Sequence, residues 1–258
     1  MIPKIIHYCW FGRNPLPELA QKCIASWRKF LPDYEIKEWN EDNFDINIIP
    51  YTAEAYRAKK YAFVSDYARF WILYKYGGLY FDTDVEIIKP MDDIITRGPF
   101  MGCENEAGSG ATTLGVAPGL GLGVNPGLGL GVNPGLGLYK EMLEFYETLS
   151  FDKESKTGTA TIVKYTSEML SEYGLQNINE IQHIAGIYIY PKEYFCPKDY
   201  GTGKLTITPH SVSIHHYGAT WLPLEQRLEH SIWKAFGLKP HRIMWHVDRW
   251  LAWIGVRR

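Results

Sequence analysis

The chain has 258 residues, 46% apolar and 15% aromatic, with a formal net charge of −2. That length suits one large domain, and the near-neutral balance excludes a protein that binds nucleic acid through its overall charge. Four scattered cysteines, Cys9, Cys23, Cys103 and Cys196, form no C-x-x-C pair. They point to reduced thiols in a cytosolic protein rather than a disulfide framework. The opening MIPKIIH has no secretory-leader pattern, and no run is apolar for long enough to cross a bilayer. The expectation is a soluble chain or one that rests on a membrane surface.

In chain order, KIIHYCW at 4–10 reads as a short buried strand, and 11–17, with Gly12, Asn14 and two prolines, as a loop. Residues 18–30 carry Leu19, Cys23, Ile24 and Trp27 on one helical stripe. YEIKEW at 34–39 alternates as a second strand. Residues 54–76 predict one long aromatic helix stopped by Gly77 and Gly78. Residues 79–88 predict a third strand, closed by Pro90. Strand, helix, strand, helix, strand is the order of a parallel sheet covered by helices, whose ligands bind outside the carboxyl ends of the strands.

From 108 to 138 the composition changes. The octapeptide GLGLGVNP occurs at 119–126 and again at 127–134, with an imperfect relative at 114–118. It lacks the spacing of a phosphate-binding glycine fingerprint and reads as an expanded loop or lid. Helical periodicity resumes at 139–149 and 161–173, and strands are expected at 184–190 and 204–213.

The chemistry concentrates in GGLYFDTDVEI at 77–87, where Asp82 and Asp84 sit one residue apart in an apolar run. On a continuous strand both would point the same way. Two like charges on one face invite a cation, and hard oxygen ligands suit Mg²⁺ or Mn²⁺. Asp66 and Arg69 stand one helical turn apart. A bare D-x-D is a weak signal, and an i,i+3 Asp–Arg pair is more often a structural ion pair than a site.

The ordered set IPKIIHYCWFG, VSDYARFWILYKYGGLYFDTDVEI and SIHHYGATW resembles glycosyltransferase family 32, a DxD-containing group that includes capsular polysaccharide enzymes. The resemblance is dense over 2–90, faint over 102–185, and returns around 190–223. It implies a GT-A fold: an α/β, Rossmann-like nucleotide-binding mixed sheet flanked by helices. It also implies transfer of a hexose from a nucleotide sugar with retention, a UDP-sugar first and GDP-mannose second, to a glycan or lipid-linked acceptor. Carried over residue by residue, Trp10 would stack the base, and Asp66 and Arg69 would meet donor-sugar hydroxyls and the diphosphate. Tyr80 would pack on the donor, and Asp82 would bind sugar or ribose hydroxyls and metal. Asp84 would bind the metal, Mn²⁺ or Mg²⁺, with His216 or alternatively His215 completing its contacts. Trp221 would close over the leaving diphosphate. Glu86 is a supporting residue only, and no general base is assigned; Glu104 and Asn105 enter only because they follow the next expected strand.

The expected organisation is one domain over 1–240, with the glycine-rich insertion at 108–138, and a C-terminal amphipathic helix at 241–258. That tail carries Trp245, Trp250, Trp253 and four arginines, as an interfacial membrane helix would. A helix packed on its own domain has the same pattern. The expected placement is cytoplasmic, with peripheral contact at the inner membrane face. Two rival readings remain. One is a phosphatase of the haloacid-dehalogenase type using Asp82, although Val85-Glu86 stand where that family has Gly-Thr. The other is an inactive carbohydrate- or membrane-binding relative.

Overall fold

The structure, a computed structural model, describes residues 1–107, 123–151, 161–200 and 202–218. The repeat copy at 119–126 is described only in part. Trp221 and the 241–258 tail lie outside the described residues. The chain divides into two compact units, Met1–Pro197 with Ile207–His216, and Lys198–Thr206 with Tyr217–Arg258.

In the first unit the sequence pattern becomes strands β1 (Ile5–Cys9), β2 (Glu35–Trp39) and β3 (Gly78–Tyr80), with helix α1 (Glu18–Phe30) between the first two. β1 is central and parallel to both neighbours, which gives the expected parallel core. The sheet then turns mixed. β3 pairs antiparallel with β7 (Leu130–Val132), which pairs antiparallel with β5 (Phe100–Cys103). β5 runs parallel to β9 (Ile187–Tyr190), and β8 (Gln182–Ile184) closes the far edge. With β6 (Val124–Asn125) on β5, the described residues form an eight-stranded sheet. β4 (Val85–Ile87) pairs instead with β10 (Ser213–His215) in a separate two-stranded sheet. The result is a mixed α/β sheet flanked by helices.

Four expectations are corrected. The helix expected over 54–76 is two, α2 (Pro50–Arg57) and α3 (Tyr61–Tyr76). Lys59 has φ 57°, and the bonds Lys60 N–H to Ala55 O and Lys59 N–H to Tyr56 O close α2 in a Schellman motif. Apolar periodicity continues across that break, which hides it. The strand expected over 79–88 is two strands in two sheets, separated by a turn. The hairpin β8–β9 replaces one strand at 184–190, because Ala185 and Gly186 both take positive φ, as a two-residue hairpin turn demands. No strand covers 204–212; the described part of the second unit has only an isolated bridge between Lys198 and Leu205.

Helix α4 (Asp92–Arg97) precedes β5, and beyond that strand come α5 (Gly137–Glu147), α6 (Ile162–Glu172) and the short α7 (Lys192–Phe195). Thr161 caps α6 by accepting the Lys164 N–H at 3.2 Å. Helix α3 packs on α2, α5 and the β1–β3 strands. On the other side Trp27 of α1 is fully buried and donates Nε1–H to Val85 O at 2.8 Å, while Ser26 Oγ accepts the Ile87 N–H at 2.9 Å. These two bonds hold β4 to α1.

His7, in the middle of β1, ties three elements together. Its Nδ1 accepts from Trp39 Nε1–H at 3.0 Å, so Nε2 carries the proton and donates to Gly77 O at 3.0 Å. Both nitrogens are committed in the neutral form, and burial pushes the imidazole pKa down to about 4. Between that value and the ordinary 6.5 the unfolded chain binds the extra proton, so stability falls as pH drops through this window. This group alone should cost roughly 3 kcal/mol by pH 4. The melting-temperature gap between wild type and His7→Leu, wide at pH 7, should therefore close on acidification to pH 4. A gap independent of pH would contradict the buried neutral imidazole.

Candidate active site

The chain leaves β3 at Tyr80 and turns through 82–85, where the Val85 N–H donates to Asp82 O at 3.0 Å. Asp82 opens this turn, a position that Asp favours. The two aspartates therefore do not alternate along one strand. Both carboxylates remain partly accessible, with side chains 31% and 19% exposed for Asp82 and Asp84.

Each aspartate has its own partner. Asp82 is gripped by Arg69 of α3, with Nη2 at 3.3 Å from Oδ1 and Nη1 at 3.4 Å from Oδ2. The Tyr80 hydroxyl donates to Asp82 Oδ1 at 3.2 Å, and the Arg69 guanidinium lies over the Tyr80 ring at 4.9 Å. Arg69 also reaches Asp66 Oδ1 at 3.0 Å and donates Nε–H to Ser65 O at 3.1 Å. With only 4% of its side chain exposed, Arg69 is a buried cation between two carboxylates. Burial opposes its charge, but Asp82, Tyr80 and Asp66 outweigh that and raise its pKa. Burial pushes the Asp66 carboxyl up to about 7, against the pull of Arg69 and with Asp82 adding to the rise. The Cys9 thiol beside this group is pushed up to about 12 by burial and stays neutral.

Asp84 pairs instead with His215 of β10, with Nε2 3.3 Å from Oδ1. Burial alone would lower that imidazole's pKa; the Asp84 charge and hydrogen bond outweigh it and hold it well above its usual value. His216 takes a different partner. Its Nε2 is 2.7 Å from Glu86 Oε2, which also receives Lys22 Nζ at 2.9 Å. The His216 backbone N–H donates to Asp84 O at 2.9 Å. Glu86, called supporting from sequence, thus anchors the segment carrying both histidines.

The structure brings Asp66, Arg69, Tyr80 and Asp82 into one group, and Asp84 and His215 into another on the same turn. Trp10 follows β1 half-buried, donating Nε1–H to Asn14 O at 2.6 Å.

The site also uses residues that sequence reading passed over. The repeat copy at 127–134 is no loop: Leu130 and Val132 are fully buried in β7, and Gly127 O accepts the Asp82 N–H at 3.0 Å. A Cβ on Gly127 would lie 1.9 Å from Asp82 Oδ2. Only glycine fits there. Asn125 accepts the Gly127 N–H at 2.7 Å and donates Nδ2–H to Glu104 Oε2 at 2.9 Å. The alternation of glycine with Leu and Val was the available signal for a strand, masked by the glycine content.

Among the described residues no three His, Cys, Asp or Glu side chains form a ready-made ion cage. Asp82 and Asp84 still offer accessible hard oxygens of the kind a divalent ion takes, and His215 Nε2, beside Asp84, could join them on giving up its proton.

Residues 17–101 match a family model described as glycosyltransferase sugar-binding region containing DXD motif. A 111-residue stretch is 30% identical to inositol phosphoceramide mannosyltransferase 1 of Schizosaccharomyces pombe, covering 39% of this chain and 33% of that protein. Mannosyltransferase 3 of the same series and organism is 31% identical over 122 residues, 46% of this chain and 34% of that protein. Among solved structures, the PaToxG glycosyltransferase is 18% identical with a TM-score of 0.46, over 66% of this chain and 69% of that one. The chain spans about a third of the length of these curated relatives. The matched segment holds Asp66, Arg69, Tyr80, Asp82 and Asp84, so this part of the chain is similar to the DXD-containing sugar-binding region of glycosyltransferases.

Proposed function

We propose that the protein is a metal-dependent, retaining glycosyltransferase that moves a hexose from a nucleotide sugar to a lipid-linked or glycan acceptor. The observation that carries this reading is the buried Arg69 held between Asp66 and Asp82, beside a turn that also presents Asp84 with His215. Relatives named as mannosyltransferases of inositol phosphoceramide favour GDP-mannose over the UDP-sugar expected first, and an acceptor carried by a lipid. Such an acceptor puts the work at a membrane surface, where the basic, Trp-rich segment 241–258 is suited to lie. No helix of the described residues is long and apolar enough to cross a membrane.

Asp82 and Asp84 would hold Mn²⁺ or Mg²⁺, joined by His215 once its proton is displaced, and the ion would supply positive charge beside the departing diphosphate. Arg69, fixed by its two carboxylates, presents a preorganised positive field to the donor. Asp66, rigid on α3, orients sugar hydroxyls through its carboxylate. Asp82 backs Arg69 with both oxygens, an arrangement that suits a donor anchor better than a phosphatase nucleophile. In a retaining transfer the acceptor hydroxyl attacks on the face the diphosphate leaves, and a phosphate oxygen takes its proton. No protein nucleophile is then required.

The first test is thermal stabilisation by GDP, UDP and CMP, each with and without Mn²⁺. At a hundredfold excess over Kd the gain is about 2.7 kcal/mol, several degrees in Tm. GDP should stabilise in a Mn²⁺-dependent way; no shift with any nucleotide would sink the donor-site reading. Asp84→Ala should abolish that Mn²⁺-dependent shift and lower transfer at least a hundredfold while leaving the far-UV spectrum unchanged, and undiminished turnover would remove Asp84 from the site. Because the Asp66 carboxyl titrates near 7, donor kcat/KM should rise with pH up to about 7 and then level. Asp66→Asn should flatten that limb as well as lower activity. A rising limb retained in the variant would assign it to another group.

A further inference from the structure

The duplicated octapeptide leaves the sheet with two chemically equivalent candidates for one slot. β7 sits between β3 and β5, with Leu79 opposite Gly131 and Tyr80 opposite Leu130. The slot is demanding. A Cβ at Gly131 would lie 2.2 Å from the Phe100 ring, and one at Gly127 would meet Asp82. Eight residues earlier the sequence supplies the same residue at every position from 127 to 134, including Gly119 for Gly127 and Gly123 for Gly131. Eight is even, so a slip by one copy leaves every side chain on its own face of the sheet. A slip in the other direction fails, because it sets Tyr139 where Gly131 meets Phe100 and Lys140 where Val132 is buried.

One nearby position distinguishes the two permitted registers. The copy at 127–134 is preceded, two residues upstream, by Asn125; the copy at 119–126 is preceded at the same place by Ala117. Asn125 accepts the Gly127 N–H and donates to Glu104, and Gly127 in turn accepts the Asp82 N–H. Alanine can make neither side-chain bond.

We infer that Asn125 is a positioning residue for Asp82, acting through Gly127, and that it selects which copy of the octapeptide closes the sheet beside the DXD turn. Its role at Asp82 rests on the donor-site reading above; its choice of register does not. Two lost side-chain hydrogen bonds shift the ratio of registers by roughly tenfold to a hundredfold. The connection to α5 lengthens by one copy as the connection before β6 shortens by one, at little cost in loop closure.

The test uses the full chain as wild type, Asn125→Ala, and the swap variant Ala117→Asn/Asn125→Ala, followed by hydrogen exchange and melting temperature. In the wild type the amides of Leu130–Val132 are protected. In Asn125→Ala they should lose protection and the melting temperature should fall. In the swap variant the melting temperature should recover while Leu130–Val132 still exchange, since the earlier copy then holds the slot. Recovery by an asparagine eight residues away is not expected of a bond that merely stabilises its own loop. If Asn125→Ala does not fold, the swap variant decides, since its failure to refold overturns the inference. Leu130–Val132 protected in all three proteins also overturns it. The Mn²⁺-dependent shift with nucleotide should be lost in Asn125→Ala and regained in the swap, and its persistence in Asn125→Ala overturns the positioning role. Absence of that shift in the wild type sinks the donor reading alone and leaves the register result standing.

Discussion

Arg69 is the charge on which the rest of the site depends. A guanidinium this deeply buried is costly unless its donors are matched, and losing one partner of such a pair costs about 3–5 kcal/mol. Here the partners come from two elements, Asp66 on α3 and Asp82 on the turn after β3. The ion pairs therefore fix a helix to a turn that has little regular structure of its own. Everything that shapes that turn serves the same geometry. His7 fixes Gly77 where α3 ends, Tyr80 braces both Arg69 and Asp82, and Gly127 closes in from the turn between β6 and β7. The rise of the Asp66 carboxyl toward neutral pH follows first from its burial, with the Asp82 charge adding to it against the pull of Arg69.

The two aspartates of the D-x-D motif are not a symmetric pair. Asp82 is committed inward to a permanent cation, and Asp84 to an imidazole on a different sheet. The turn bridges the large sheet, through β3, and the two-stranded sheet, through β4. Trp27 and Ser26 hold β4 from α1, and Glu86, with Lys22 and His216, holds β10 alongside. The spacing of one residue between the aspartates is thus the spacing at which one turn can reach both sheets.

Much of this was legible because it is local. The helix over 18–30 follows from one stripe of apolar positions, and the parallel β2–β1–β3 core from the alternation of strand and helix. Asp66 with Arg69, and Tyr80 with Asp82, lie within three residues of each other, so helical or turn geometry suffices to join them. What failed was non-local or ambiguous. Nothing in the apolar periodicity of 54–76 marks Lys59 as the residue that takes positive φ. A run over 79–88 free of glycine and proline cannot show that its two halves pair with β7 and β10, since both partners lie far along the chain. The split of roles between His215 and His216 depends on which one faces Asp84 across that pairing.

The glycine-rich segment shows why composition misleads. Glycine lowers strand propensity, so GLGLGVNP reads as loop, and in isolation it would be one. In the fold Gly131 and Gly127 are required, because β7 and the turn before it run where Phe100 and Asp82 leave no room for a Cβ. A strand of this kind has little intrinsic preference for its register, since its Leu and Val positions recur in each copy and its glycines offer no side chains to interlock. Specificity must then come from flanking polar groups with a single correct position. Asn125 is such a group, bonded on one side to the backbone of the turn that leads into β7 and on the other to the half-buried Glu104 carboxylate. The duplication that makes the slot easy to fill is thus also what makes one side chain decide how it is filled.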